Sequence, residues 1–89
     1  MKNKAREIVF NSRFIEDLKF WIEVDRRTAL RVLDLVESIV RDPFGGMGKP
    51  EPLRNMGSDV WSRRVTMEHR IVYEVQADRV YFLQARYHY

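Results

Sequence analysis

The sequence predicts an α+β fold: a short N-terminal strand, two helices, and an antiparallel strand meander whose sheet carries both helices on one face. Three observations indicate this order. Two segments in the first half have apolar residues at helical spacing, and three later segments alternate with the period of a strand. A stretch rich in glycine and proline, residues 43–52, separates them. The 89 residues fit one small domain, here residues 1–89, with a modest core.

The composition limits the classes of function. A chain that is 45% hydrophobic and 33% charged is typical of a soluble globular protein. The absence of cysteine excludes a disulfide framework, a thiolate nucleophile and a cysteine zinc site, and it fits a cytoplasmic location. No apolar run approaches the length that spans a membrane, so no membrane partner is expected. The net charge of +3 permits a nucleic-acid partner without requiring one.

The N-terminal half contains the predicted strand and the two helices. Residues 6–10 are predicted to form a short strand, and Asn11 or Ser12 can cap the first helix. Asp25 can cap the second helix, which Pro43 ends. The apolar stripes expected to face the core are Phe14, Leu18, Trp21 and Ile22 in the first helix, and Ala29, Val32, Leu33, Val36, Ile39 and Val40 in the second.

Charged residues occupy the remaining faces of both helices. Glu16, Asp17 and Lys19 fall away from the first apolar stripe. Four arginines lie opposite the second stripe, and a solvated face explains them as well as a binding surface does: Arg26, Arg27, Arg31 and Arg41.

The C-terminal half contains three predicted strands, residues 60–66, 71–76 and 80–85, with a tight turn at Asp78 between the last two. Side chains alternate across a strand, so the apolar set in the middle strand should face the helices: Ile71, Tyr73 and Val75.

The same alternation places Arg64 and Arg70 together on the sheet face that the helices leave open, with Ser62, Thr66 and Glu74. Arg63 does not fit this pattern, because it shares the side of Trp61. We therefore expect Arg63 to leave the sheet at an edge, or the register to contain a bulge.

Glu51 is the first candidate for chemistry. Pro50 and Pro52 flank it, and the residue before a proline is restricted to extended geometry. The two prolines therefore favour a carboxylate presented in a fixed conformation, although a lone loop glutamate is more often simply solvated. The loop contains no G-x-x-x-x-G-K-[ST] pattern, which excludes a P-loop.

The C-terminal residues Arg86-Tyr87-His88-Tyr89 form the second candidate element. They are aromatic and basic, and they contain one of only two histidines. Read alone, they fit a terminal strand whose aromatic side chains pack. The other histidine, His69, falls at a turn between two predicted strands, where a structural or surface role is expected. Two histidines without cysteine make a poor metal site, so no metal is predicted.

The candidates together match the requirements of RNA cleavage without a metal ion. A base must deprotonate the ribose 2′-hydroxyl, cations must stabilise the added charge on phosphorus, and an acid must protonate the departing 5′-oxygen. The chain supplies a carboxylate in Glu51 and a titrating imidazole in His88. The candidate cations are Lys49, Arg54, Arg64 and Arg70.

Five motifs in order resemble the YoeB/Txe toxins of the RelE superfamily. They are Asp42-Pro43-Phe44, Gly48-Lys49-Pro50-Glu51-Pro52-Leu53, Trp61-Ser62-Arg63-Arg64, Glu68-His69-Arg70-Ile71-Val72-Tyr73 and Arg86-Tyr87-His88-Tyr89. The resemblance covers nearly the whole chain. Asn55-Met56-Gly57-Ser58-Asp59 departs from the usual Leu-Ser-Gly sequence, and Arg54 replaces a common lysine. The first residues run beyond the usual family start and are expected to be disordered or to extend the first strand.

The resemblance implies a RelE-like fold and a ribosome-dependent mRNA endoribonuclease that cuts in the A site and inhibits translation. By similarity, Glu51 would be the general base, His88 the general acid and Arg70 the group that stabilises the scissile phosphate. Arg64, Lys49 and Arg54 would hold the substrate, and Tyr89 would orient the RNA or His88. The products would be a 2′,3′-cyclic phosphate or 3′-phosphate and a 5′-hydroxyl, with no cofactor.

The same resemblance implies partners and leaves alternatives. A YefM-like antitoxin would neutralise the toxin through a segment that folds on binding, and the toxin would form a homodimer and a toxin–antitoxin heterocomplex. A non-catalytic toxin that inhibits gyrase, as the ParE-like relatives do, is the first alternative. An inactive homologue that only binds an antitoxin is the second.

Overall fold

The computed structural model describes residues 6–57 and 59–87, and it has the predicted α+β architecture. Residues 1–5, where an extension of the first strand or disorder was expected, lie outside the described residues. In chain order the elements are β1 (Glu7–Phe10), α1 (Ser12–Val24), α2 (Arg26–Arg41), β2 (Glu51–Pro52), a 3₁₀ turn (Arg54–Met56), β3 (Val60–Arg64), β4 (Arg70–Val75) and β5 (Arg79–Gln84).

The strands form one mixed sheet in the order β1-β5-β4-β3-β2. The predicted meander is confirmed, because β3, β4 and β5 are successive antiparallel neighbours. The first strand runs parallel to β5 at one edge, and the two helices connect it to β2 at the opposite edge. The loop contributes the short strand β2, which pairs with β3 at the other edge and was not predicted.

Both predicted helix caps are present. Asn11 Oδ1 accepts a hydrogen bond from Phe14 N at 3.0 Å. The Asp25 carboxylate accepts from Thr28 N at 3.3 Å and from Thr28 Oγ1 at 2.8 Å. These hydrogen bonds to Thr28 hold the pKa of Asp25 below its ordinary value. Each cap binds backbone N–H groups that the first helical turn leaves without a partner.

The core lies between the helices and one sheet face. Apolar side chains from α1, α2 and the three long strands meet there, among them Phe14, Trp21, Val32, Leu35, Ile39, Ile71, Tyr73, Val80 and Phe82. The predicted inward set of β4 is confirmed. Two stripe residues are not: Ile22 and Leu33 are 51% and 40% exposed. Leu35 is fully buried instead, so the face of α2 toward the core is rotated slightly from the predicted stripe and includes Thr28 and Leu35.

Asp17 also corrects the sequence prediction, because it is only 3% exposed. Its carboxylate accepts the backbone N–H of Ala85 at 2.9 Å and pairs with Arg13 Nε at 3.1 Å. A buried carboxylate is tolerated when it is paired and hydrogen-bonded in this way.

Arg63 neither leaves at an edge nor sits in a bulge of its strand pair, so both expectations were wrong. The sheet irregularity lies instead at Val72/Tyr73 in the pairing of β4 with β5. The Arg63 side chain points toward the helices and is fully buried. Its guanidinium donates five hydrogen bonds, to Ser38 Oγ, Tyr73 Oη and the backbone oxygens of Asp42, Gly45 and Met47. Arg63 therefore holds the loop after α2 against the core.

Neither helix in residues 6–57 or 59–87 has the length and apolar character needed to cross a membrane.

Candidate functional site

The Pro-flanked carboxylate lies at the edge of the open sheet face. Glu51 pairs with Ser62 of β3 in the antiparallel register, and its side chain is 52% exposed. The extended geometry expected from the two prolines is thus present as a strand. Strand pairing gives Glu51 a fixed place relative to β3, while solvent still reaches the carboxylate.

Arg70 bridges from β4 to that carboxylate. Its Nη1 donates to Ser62 Oγ at 3.2 Å and contacts Glu51 Oε1 at 3.4 Å. The Arg70 side chain is only 14% exposed, and Ser62 beneath it is fully buried. The predicted base and the predicted phosphate-binding arginine are therefore brought together over three neighbouring strands.

Arg64 and Lys49 lie next to this pair. Arg64 is the cross-strand partner of Arg70, so both side chains start from adjacent points of the open face. The Arg64 N–H donates to Gly48 O at 2.7 Å, which places Lys49 beside the end of β3. Arg70, Arg64 and Lys49 thus lie on the same edge of the open face as one carboxylate, an arrangement suited to a polyanion.

Gly48 makes the close approach of the loop to β3 possible. Its φ of 87° lies in the region that favours glycine, and a Cβ there would come within 2.9 Å of Leu35 Cδ2. Lys49 follows with a φ of 55°, so two successive residues of the left-handed region turn the chain into β2.

The remaining predicted residues lie elsewhere or outside the described chain. Arg54 lines a separate groove with Pro52, Gly57 and Trp61, and no hydrogen bond or ion pair among the described residues links it to Glu51. His88 and Tyr89 lie outside the described residues. The chain reaches them through Tyr87, whose carbonyl oxygen accepts from Arg70 N at 3.1 Å.

The sequence reasoning missed two contributors. Ser62 was placed on the correct face but given no role, although its hydroxyl contacts Arg70; its position opposite Glu51 could not be seen before β2 was known. His69 Nδ1 accepts the Tyr87 N–H at 2.7 Å, next to the C-terminal residues. The sequence feature that could have indicated a role for His69 is its position directly before Arg70. Within residues 6–57 and 59–87, no cluster of three or more His, Asp or Glu side chains could hold a metal ion.

Comparisons with a family model and with individual known proteins indicate the same family. The family model for the YoeB-like toxin of bacterial type II toxin–antitoxin systems matches residues 10–89. Toxin YoeB of Mycobacterium bovis is 50% identical over 84 residues, which cover 94% of this chain and 99% of that protein.

Solved structures agree with the sequence comparison. The YoeB dimer from Staphylococcus aureus superposes with a TM-score of 0.86 at 32% identity, covering 97% of this chain and 100% of that one. A YoeB–YefM complex from the same organism gives a TM-score of 0.81 at 32% identity, with the same coverage. On this evidence the chain belongs to the YoeB-like toxins of bacterial type II toxin–antitoxin systems.

Proposed function

We propose that this chain is an endoribonuclease that cleaves mRNA in the ribosomal A site and so inhibits translation in the cytoplasm. The observation that carries the proposal is the contact of Arg70 with Glu51 on the open sheet face, 3.4 Å apart. A carboxylate held beside a guanidinium can act on a hydroxyl next to a bound phosphate. Membership of the YoeB-like toxins supports the same reading.

In the proposed mechanism Glu51 removes the proton from the ribose 2′-hydroxyl. The 2′-oxygen then attacks the adjacent phosphorus, and the bond to the 5′-oxygen of the next nucleotide breaks. Arg70 stabilises the charge that develops on the phosphoryl oxygens, since its planar fork can bind two of them. His88 protonates the departing 5′-oxygen, and Tyr89 orients His88 or the RNA. The products are a 2′,3′-cyclic phosphate and a 5′-hydroxyl.

Arg64 and Lys49 bind the RNA backbone around the reacting phosphate. Both lie beside the Glu51–Arg70 pair, on the exposed surface at the ends of β2 and β3. Arg54 binds more distant substrate, because it lines a different groove. Protein groups supply every proton transfer in this scheme, and no cofactor is required.

Primer extension on translating ribosomes tests the proposal. The parent protein is expected to produce new cuts in the A site, and Glu51→Ala and His88→Ala are expected to abolish them. Arg26→Gln, an exposed change on α2, is the matched control and should cut like the parent. Intact mRNA with folded parent protein, or full cutting by both alanine variants, would contradict the mechanism.

The two alternative functions predict different results when the same purified protein is assayed. A gyrase inhibitor would block supercoiling by purified gyrase while leaving mRNA intact. An inactive antitoxin-binding homologue would neither cut mRNA nor arrest growth when expressed alone.

We propose that a YefM-like antitoxin and a second copy of the chain are its protein partners. The Staphylococcus aureus relatives, one a YoeB dimer and one bound to YefM, support both. Molar mass measured by light scattering, with and without a YefM-like antitoxin, tests both assemblies. A chain that is monomeric and does not bind the antitoxin would contradict both proposed assemblies.

A further inference from the structure

The segment before the C-terminus is tied to the first helix. Ala85 N–H donates to Asp17 Oδ2 at 2.9 Å, and Ala85 O accepts from Trp21 Nε1 at 2.9 Å. Ala85 itself is fully buried. Side chains of α1 thus provide hydrogen-bond partners for both the N–H and the carbonyl oxygen of this buried residue. These two hydrogen bonds fix the position at which the chain leaves the sheet.

Tyr87 is held in the same way by His69, at the end of the turn between β3 and β4, and by Arg70, the first residue of β4. Its N–H donates to His69 Nδ1 at 2.7 Å, and its carbonyl oxygen accepts from Arg70 N at 3.1 Å. The residue has a φ of 67°, in the left-handed region that tyrosine rarely adopts. Such a conformation persists only where the surroundings over-determine it. The two hydrogen bonds supply that constraint.

The His69 ring is itself held in place. It packs edge-on against Trp21, with ring centroids 4.9 Å apart at 84°, and its side chain is 16% exposed. Since Nδ1 accepts a hydrogen bond, the neutral ring carries its proton on Nε2. The charged groups beside it are Glu68, whose Oε1 lies 3.8 Å from Nε2, and Arg86, which stacks on the Tyr87 ring at 4.6 Å.

We propose that His69 is a positioning residue for the cleavage reaction. By accepting the Tyr87 N–H, it fixes the backbone from which His88 and Tyr89 continue. This inference rests on the proposed function, in which His88 is the general acid. Two successive residues then serve both halves of the reaction, because Arg70 contacts Glu51 while His69 anchors the segment that carries His88. A misplacement of about 1 Å can cost about 100-fold in rate.

Two variants separate the acceptor from the packing of the ring. His69→Phe keeps an aromatic ring against Trp21 but has no acceptor for the Tyr87 N–H. His69→Asn loses the ring but places an amide oxygen near the position of Nδ1. We expect His69→Phe to lower kcat for mRNA cleavage by about 10- to 100-fold at unchanged KM for ribosomes. His69→Asn should recover most of the lost kcat.

If His69 served only to stabilise the fold, His69→Asn would have the lower kcat of the two variants. The loss of the ring would then damage the fold more than the loss of one hydrogen bond. Urea unfolding of both variants shows whether each is folded. Equal kcat for the two variants, or full activity of His69→Phe, would overturn the proposal.

Nitrogen-15 spectra of the histidine rings give a readout that does not depend on cleavage. The chain has only two histidines, so the His88→Ala variant assigns the signals of His69. We expect the neutral His69 ring to be protonated at Nε2 and unprotonated at Nδ1. A proton on Nδ1 would overturn the inference whether or not the protein cleaves RNA. Absence of cleavage by the parent, with the expected tautomer present, would instead contradict the proposed function alone.

Discussion

Replacing the buried guanidinium of Arg63 by the similarly long, uncharged side chain of methionine should strongly destabilise the protein. Arg63 is fully buried, and it donates to three backbone oxygens and two hydroxyl groups. The hydroxyls of Ser38 and Tyr73 can turn to other partners. The carbonyl oxygens of Asp42, Gly45 and Met47 would lose the donors that Arg63 supplies to them.

The expected cost follows from those three oxygens. A hydrogen bond from a charged donor contributes about 1.5 to 3 kcal/mol, and the three hydrogen bonds to these oxygens are part-buried. Relief from burying a charge offsets part of this sum, so we expect the free energy of unfolding to fall by about 3 to 5 kcal/mol. A chain of this length has a total of about 4 to 13 kcal/mol. The melting temperature should therefore drop by at least about 12 °C.

Urea unfolding followed by tryptophan fluorescence measures the loss. Arg64→Met is the matched control, because Arg64 is the next residue of the same strand, on the opposite face and exposed. The control should stay within about 0.5 kcal/mol of the parent. If Arg63→Met lost less than about 1 kcal/mol, a typical single-substitution effect, the assignment of Arg63 as the anchor of the loop would be refuted.

The other predictions concern the site, the core and alkaline stability. If Glu51 is the base as proposed, Glu51→Gln should lower kcat for mRNA cleavage by about 10²- to 10⁴-fold. The urea midpoint should not change, because the carboxylate is half-exposed; an unchanged kcat would contradict the proposed role. Arg64→Gln should raise KM at constant kcat if Arg64 holds substrate and transition state equally, as proposed; a fall in kcat alone would contradict this role. Leu35→Ala should cost about 2 to 5 kcal/mol in unfolding free energy, since the side chain is fully buried; a loss no larger than that of an exposed Leu30→Ala control would argue against the packing described. Burial raises the pKa of Tyr73 above the ordinary 10.0, so its contribution to stability is present below pH 10 and is lost as the pH rises through the raised pKa. Unfolding free energies measured up to alkaline pH should therefore fall less steeply for Tyr73→Phe than for the parent, and parallel curves would contradict this.

The sequence alone determined the two helices, the four longer strands and the two faces of the sheet. Asn11 and Asp25 cap helices because their short side chains reach free backbone N–H groups one turn ahead. The alternation of Ile71, Tyr73 and Val75 assigned the core face, since neighbours along a strand point to opposite sides. The same alternation correctly assigned Arg64 and Arg70 to the open face. These predictions depend on residues a few positions apart, which local geometry relates.

Tertiary structure decided which polar groups have partners. Periodicity reports only the average polarity of a face. It placed Asp17 away from the core, although a hydrogen bond to distant backbone holds that side chain inside. It assigned Arg63 to the correct face, but it could not show that distant backbone oxygens would accept hydrogen bonds from the guanidinium there. The bond from Ala85 N to Asp17 joins residues 68 positions apart. The contact of Glu51 with Arg70 likewise required the loop to become β2 and pair with β3. Long-range pairing of this kind depends on how the chain packs, because it joins groups that no local rule brings together.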